Sequence, residues 1–226
     1  MERSTLINCF TGLRPDTRYL EIGIHLGKTF FAVEAAEKTG VDPNIRFDHR
    51  ARTNPHERFF EITSDSYFET HADREHPFDV CFIDGQHTFE QTFRDFTNVL
   101  FCSAPHAVIV IDDVSPAHWL AALPLASWQK VRPMFPELKG WSGDVFKMTT
   151  MIETFFPMVT FRFPAEAPEQ LVCWIAPRAR AQDEGATRVF LQLAQSGYAE
   201  FLVQNRRYAR TAVSEIVTDY LAIHPV

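Results

Sequence analysis

Short apolar runs alternate with stretches of helical spacing through the first half of the chain. Residues 19–24 (YLEIGI) predict a strand running into a glycine, and residues 26–34 a short helix. Residues 37–42 (EKTGVD) and 58–62 predict two further short strands. Residues 78–83 (FDVCFI) form a strongly apolar run, and residues 88–101 place Phe89, Phe93, Phe96 and Leu100 at helical spacing. Residues 107–111 (AVIVI) are nearly all β-branched, as expected for a strand buried on both faces. This alternation predicts an α/β fold: an open, mostly parallel, Rossmann-like seven-stranded sheet with helices on both faces. The second half is less regular. Residues 115–140 are rich in proline and tryptophan and predict a loop or lid. Residues 144–155 predict a helix, 159–163 and 171–176 (LVCWIA) two last strands, and 183–221 two C-terminal helices. Phe190, Leu191, Leu193, Phe201 and Leu202 on those helices either cover the domain or build a homodimer contact. The expected organisation is one domain over residues 1–180, with a lid roughly at 115–150, and a helical extension over 181–226 packed on it.

Composition narrows the partners. The 226 residues are 46% hydrophobic and 23% charged, which permits a sizeable core. Basic residues number 22 against 29 acidic ones, a net charge of −7 that disfavours gripping nucleic acid. The dense basic stretch, Arg206, Arg207 and Arg210, reads as a solvated helix face. Cys9, Cys81, Cys102 and Cys173 have no C-x-x-C spacing, so a thiolate zinc or redox site is not expected. No run approaches the ~18 apolar residues of a membrane span, and residues 1–11 lack a signal-peptide pattern. A cytoplasmic chain with no membrane partner is the expectation.

In open α/β sheets ligands bind at the carboxyl ends of the strands, and four such ends carry polar chemistry. The first is Glu21-Ile22-Gly23-Ile24-His25-Leu26-Gly27-Lys28-Thr29, where Gly23 permits a sharp turn and Gly27 a close approach at the next helix. Its G-x-x-x-G spacing is neither the dinucleotide fingerprint nor a Walker loop, and a plain turn and cap also accounts for it. The second is Asp42, whose carboxylate could accept both ribose hydroxyls of an adenosine or simply sit in a loop. The third is Thr63-Ser64-Asp65, placed to read an adenine edge or to cap the following helix. The fourth is Asp84-Gly85-Gln86-His87, which puts an acid and a histidine at the mouth of the presumed pocket.

These segments, in this order, resemble the class I S-adenosylmethionine-dependent methyltransferases. YLEIGIHLGKTF, GVDP, TSDSYF, FIDGQHTFE and VIVIDD are similar to the macrocin-type and catechol-type small-molecule O-methyltransferases, over roughly residues 18–176. The resemblance implies that S-adenosylmethionine is held by Glu21, Gly23, Ile24, His25, Gly27 and Thr29 around its methionine. It assigns Asp42 to the ribose, and Ser64, Asp65, Asp84 and His87 to the rest of the cofactor. It also implies a small-molecule acceptor.

The chemical end follows the fifth predicted strand. Asp112 and Asp113 come directly after AVIVI, and adjacent parallel strands bring them beside Asp84. Three clustered carboxylates are costly without a cation between them. A divalent ion, most simply Mg²⁺ on Asp84, Asp112 and Asp113, resolves this and could bind an acceptor hydroxyl; helix capping by the acidic pair is the plainer alternative. His87 stands where catechol-type relatives carry a lysine base, and a neutral imidazole there could take the hydroxyl proton. Packing on adenine or capping a helix fits His87 as well. Gln86 replaces an acid found in macrocin-type enzymes and cannot act as a base. His106 and His118 read as surface or loop residues that could also lie near the acceptor, Trp119, Trp128 and Trp141 either wall the acceptor site or pack in the core, and Asp144 and Lys147 are spaced to pair on one helix face. Two other readings stay open: a metal-free methyltransferase, and a non-catalytic binding or assembly module with the same fold.

Overall fold

The computed structural model describes residues 1–73, 75–178 and 186–226. The predicted boundary at 180/181 and the first residues of the predicted C-terminal helices lie outside them.

Every strand expected in the first half is present. The order is α1 (Arg3–Thr11), β1 (Arg18–Ile22), α2 (Lys28–Ala32), β2 (Glu37–Val41), β3 (Glu57–Phe60), α3 (Ser64–Thr70), β4 (Phe78–Ile83), α4 (Phe89–Cys102) and β5 (Ser103–Ile111). The second half follows with α5 (Leu125–Val131), a 3₁₀ turn (Arg132–Met134), α6 (Lys147–Phe155), β6 (Val159–Pro164), β7 (Leu171–Ile175), α7 (Ala186–Gln195), α8 (Tyr198–Asn205), β8 (Arg210–Thr211) and α9 (Val213–Ile223). Among the described residues the sheet has eight strands rather than seven, in the order β3-β2-β1-β4-β5-β7-β6-β8. The extra strand is the two-residue β8, parallel to β6 at the sheet edge. Strands β1 to β5 pair in parallel, and β7 is antiparallel to both β5 and β6.

The period-two alternation of the central strands explains the two packed layers. Cys81, Ile83, Ile109 and Ile111 face one side with Phe96 and Val99 of α4 and Met148 and Ile152 of α6. Val80, Phe82, Val108 and Val110 face the other with Leu6, Ile7 and Phe10 of α1, Phe30 of α2, and Val213, Ile216 and Tyr220 of α9. The last helix is thus part of the main core. Phe201 of α8 instead packs under the lid with Ala122 and Phe146. Leu193 and Phe201 are buried, whereas Phe190, Leu191 and Leu202 stay exposed, so one half of the expected apolar face covers the domain.

Among the described residues, three helices and a strand occupy the C-terminal region where two helices were expected. Gly197 breaks the run at the start of α8, and its backbone N–H donates to the Glu200 carboxylate at 2.8 Å. The basic stretch is likewise not a helix face. Arg206 caps α8, Arg207 pairs with Glu153 at 3.7 Å, and Arg210 lies in β8, donating to Ser115 Oγ and Asn205 Oδ1. Among the described residues no helix is long and apolar enough to cross a membrane.

Candidate active site

Strand register builds the site. Ile22, Ile83 and Ile111 end β1, β4 and β5 in register, and Val41 ends β2 beside Ile22. The next residue of each strand extends the ladder by one hydrogen bond. The Gly23, Asp84 and Asp112 amides donate to the Val41, Ile22 and Ile83 carbonyls at 2.8, 2.9 and 3.0 Å, and the Asp42 amide to the Phe60 carbonyl at 3.1 Å. Gly23, Asp42, Asp84 and Asp112 therefore stand in a row along the carboxyl edge. A cleft of about 570 Å³ opens above it, lined by Gly23, His25, Asp42, Ser64, Asp65, Asp84 and His87 among others.

Three non-glycine residues, among those described, have positive φ: His25 (39°), His87 (55°) and Asp113 (62°). All three belong to this edge, and non-glycine residues in the left-handed region are uncommon outside constrained sites. Gly23 (φ 93°) has no alternative residue, because a Cβ there would run into the Asp84 carbonyl. Gly143 (φ 58°) backs His87 in the same way, since its Cβ would meet the His87 carbonyl.

The two ends of the cleft differ in chemistry. Asp42 is buried and accepts the His25 amide at 2.8 Å and the Asn44 amide at 2.7 Å, which fixes its carboxylate at the cleft wall. At the far end Gln91 organises the polar groups, its amide donating to Ser64 Oγ, Asp65 and Asp95 at 3.1, 3.2 and 3.0 Å. The other carboxylate oxygen of Asp95 is buried with no hydrogen-bond partner among the described residues, and burial pushes this acid up to about 6. Of the other residues assigned to the cofactor, Ile24 and Gly27 shape the turn from behind: Ile24 is buried against Gly40, and Gly27 faces Phe31 and Phe47. Thr29 lines a neighbouring cleft of about 380 Å³.

Glu21 lies beneath the cleft, not in its wall. It is buried and accepts the Tyr19 hydroxyl at 2.7 Å. Burial pushes it up to about 8, against the lowering effect of that hydrogen bond. An acid raised in this way stabilises the fold below its unfolded value near 4.5, and that contribution is lost as pH rises through about 8. The loss is on the order of 5 kcal/mol at most. Glu21→Gln keeps an acceptor for Tyr19 and removes the ionisation. The melting temperature of the wild type is expected to fall between pH 5 and 8.5, and that of the variant to fall less. Parallel profiles would contradict this assignment.

At the chemical end Asp84, Asp112 and Asp113 come together as the spacing implied, but a cation already lies among them. Arg3, from the start of α1, places Nη1 2.9 Å from Asp84 and Nη2 2.6 Å from Asp112. Gln170 donates to the other oxygen of Asp112 at 2.6 Å. His87 faces Asp113 at 2.8 Å and the Trp141 carbonyl at 2.9 Å through Nδ1, and Asp84 at 3.4 Å through Nε2. With acceptors at both ring nitrogens, the imidazolium is the favoured form. Burial opposes this charge, yet the bonds to Asp113 and Asp84 push His87 up to about 11. The sequence expectation of a neutral imidazole base is corrected accordingly.

The donor atoms of Asp84, His87 and Asp113 lie within 4.8 Å of one another. A metal-bound imidazole must be neutral, however, and Mg²⁺ prefers an all-oxygen shell. With Asp112 committed to Arg3 and Gln170, this arrangement does not fit a Mg²⁺ site. The argument for a metal assumed three carboxylates lacking a cation, and Arg3 and His87 fill that role.

The remaining candidates separate clearly. Trp141 stacks on His87 at 5.3 Å and 7°, with Trp128 tilted against it at 6.0 Å, so the lid walls the histidine. Trp119 packs edge-on against Phe135. His118 accepts the Ala121 amide and bonds the Lys139 carbonyl, pinning the lid, and His106 pairs with Asp79 near the start of β4, at the opposite edge of the sheet. Asp144 pairs with Lys147 as expected and also accepts the Phe89 amide at 2.7 Å, which ties the lid to the start of α4. Sequence reasoning missed Arg3, Gln91, Asp95 and Gln170. Helix α1 was overlooked because Ser4, Thr5, Asn8 and Thr11 are weak helix formers; Leu6, Ile7 and Phe10 were its one signal.

The fold, an open α/β sheet with a polar cleft along its carboxyl edge, is the one seen in class I S-adenosylmethionine-dependent methyltransferases. Residues 20–114 match the family model described as "Methyltransferase domain", which is less than half of the chain. No curated protein matches it. Among solved structures, the O-methyltransferase TomG from Streptomyces achromogenes, involved in tomaymycin synthesis and in complex with SAM, is 20% identical. That match covers 77% of this chain and 79% of that one, with a TM-score of 0.50. An O-methyltransferase from Bacillus cereus in complex with SAH is 15% identical over 78% and 82%, with a TM-score of 0.51. Cofactor-bound Rv0187 from MTB is 14% identical over 77% and 79%, with a TM-score of 0.54. At these identities the likeness is one of fold.

Proposed function

We propose that this protein transfers the methyl group of S-adenosylmethionine to a hydroxyl of a small sugar-containing or phenolic metabolite. The row of Gly23, Asp42 and Asp84 along one cleft carries this reading. Asp42 receives the ribose hydroxyls, Ser64 and Asp65 lie at the adenine end, and the turn at Gly23 leaves room for the methionine. Asp84 and His87 are the catalytic pair. The acceptor oxygen attacks the methyl carbon as the carbon–sulfur bond breaks, and the bonding electrons neutralise the sulfonium. The hydroxyl proton passes to the Asp84 carboxylate, which Arg3 and His87 hold in place. Alignment of oxygen, carbon and sulfur supplies most of the remaining acceleration.

The acidic surface and the match to methyltransferases favour a small acceptor over nucleic acid. We further assign residues 1–180 to the methyltransferase domain and 181–226 to a C-terminal extension, and read the exposed Phe190, Leu191 and Leu202 as a homodimer contact. We place the protein in the cytoplasm, a reducing setting that suits the thiols of Cys9, Cys81 and Cys173. The test is formation of S-adenosylhomocysteine from S-adenosylmethionine with a panel of hydroxylated sugars and phenols. Acceptor-dependent product is expected. Cofactor binding without turnover on any hydroxyl, amine or thiol acceptor would favour a binding module of the same fold.

A further inference from the structure

We infer that Arg3 is the resident cation of the acceptor site, holding the place that a divalent ion would take and presenting N–H donors to the acceptor oxygen. The inference rests on the methyltransferase reading and deepens it. Arg3 bridges Asp84 and Asp112 through separate nitrogens at 2.9 and 2.6 Å, a forked geometry that a planar guanidinium provides and an ammonium does not. Asp112 is fully buried and has Gln170 on its second oxygen, so it depends on Arg3 for its countercharge. Arg3 itself remains 40% exposed. It lines both the cofactor cleft and the neighbouring cleft, whose wall also includes Lys28, Thr29, Glu166, Glu169 and Gln170. An acceptor entering from that second, polar cleft meets the guanidinium before it meets the methyl group. One N–H of Nη1 donates to Asp84 and Nη2 pairs with Asp112 by charge, and the exposed part of the guanidinium meets the incoming oxygen and orients it toward Asp84. The polar lining suits a polyhydroxylated acceptor.

The test has a metal arm and a kinetic arm. Mn²⁺ binding is followed by electron paramagnetic resonance on the wild type, Arg3→Ala and Arg3→Ala/Asp112→Ala, with melting curves to confirm folding. The wild type is expected to leave Mn²⁺ free, Arg3→Ala to bind it at least roughly tenfold more tightly, and the double variant to lose that gain. In turnover, EDTA leaves the wild type unchanged and Arg3→Ala falls roughly a hundredfold, with partial recovery on adding guanidinium. Arg3→Lys, a point charge unable to span both acids, falls between them. Mn²⁺ binding by the wild type as tight as by Arg3→Ala would overturn the inference, as would loss of wild-type turnover in EDTA. The metal arm needs no cofactor, so its outcome stands apart from a failure of the methyltransferase reading.

Discussion

Asp84→Asn is expected to lower kcat by roughly two to four orders of magnitude, the range for removing a positioned proton acceptor, while S-adenosylhomocysteine still binds. Asparagine keeps the shape of the cleft wall and its amide oxygen can still face Arg3, but it cannot take the hydroxyl proton. The loss should therefore appear in kcat with little change in KM for the cofactor. The neighbouring groups sharpen the expectation. His87 is held as the imidazolium by Asp113 and Asp84, and Asp112 is buried under Arg3 and Gln170. Burial and the adjacent Asp84 and Asp113 raise the Asp112 acid above its ordinary range. Asp84 is thus the carboxylate of the three that lines the cofactor cleft. Unchanged kcat in Asp84→Asn would move the proton acceptor elsewhere and leave the cluster a structural role.

Gly23→Ala should have the second large effect, on the fold and the cofactor together. A methyl group there would collide with the Asp84 backbone, in a position already at φ 93°. The two strand ends would have to separate, which breaks the amide of Asp84 away from Ile22. A cost of about 3 kcal/mol or more is expected, with loss of cofactor binding. Gly140→Ala is the control. Its φ is 88°, yet a Cβ there meets nothing within 4 Å. It should cost about 1–2 kcal/mol from backbone strain alone and leave binding intact. Chemical denaturation of the two variants separates these contributions. Equal losses in both would show that the collision at Gly23 relaxes without consequence.

The central sheet and the cofactor edge were legible because both follow from short-range pattern. Apolar runs ending in Gly23, Asp42, Asp84 and Asp112 locate strand ends, and parallel pairing brings those ends together. The acceptor end was less legible because its contacts join residues far apart in the chain. Arg3 reaches Asp112 from the first turn of a helix with weak sequence signal, and Gln170 reaches it from the turn before β7. No spacing argument links positions 3, 112 and 170. The same limit applies to Gln91, whose amide connects α3 and α4, and to Asp144, which caps α4 from the lid. The countercharge of the acidic cluster was unreadable for this reason: the carboxylates lay in readable strand ends, and Arg3 did not. The two-residue β8 carries too little pattern to be predicted as a strand.

Calorimetric titration of the purified protein with S-adenosylhomocysteine tests the central claim most directly. The account predicts binding at micromolar strength that is insensitive to Mg²⁺, and weaker by roughly tenfold or more in Asp42→Asn, where the carboxylate no longer offers a charged acceptor to the ribose. Absence of heat in the wild type, or equal affinity in Asp42→Asn, would contradict it.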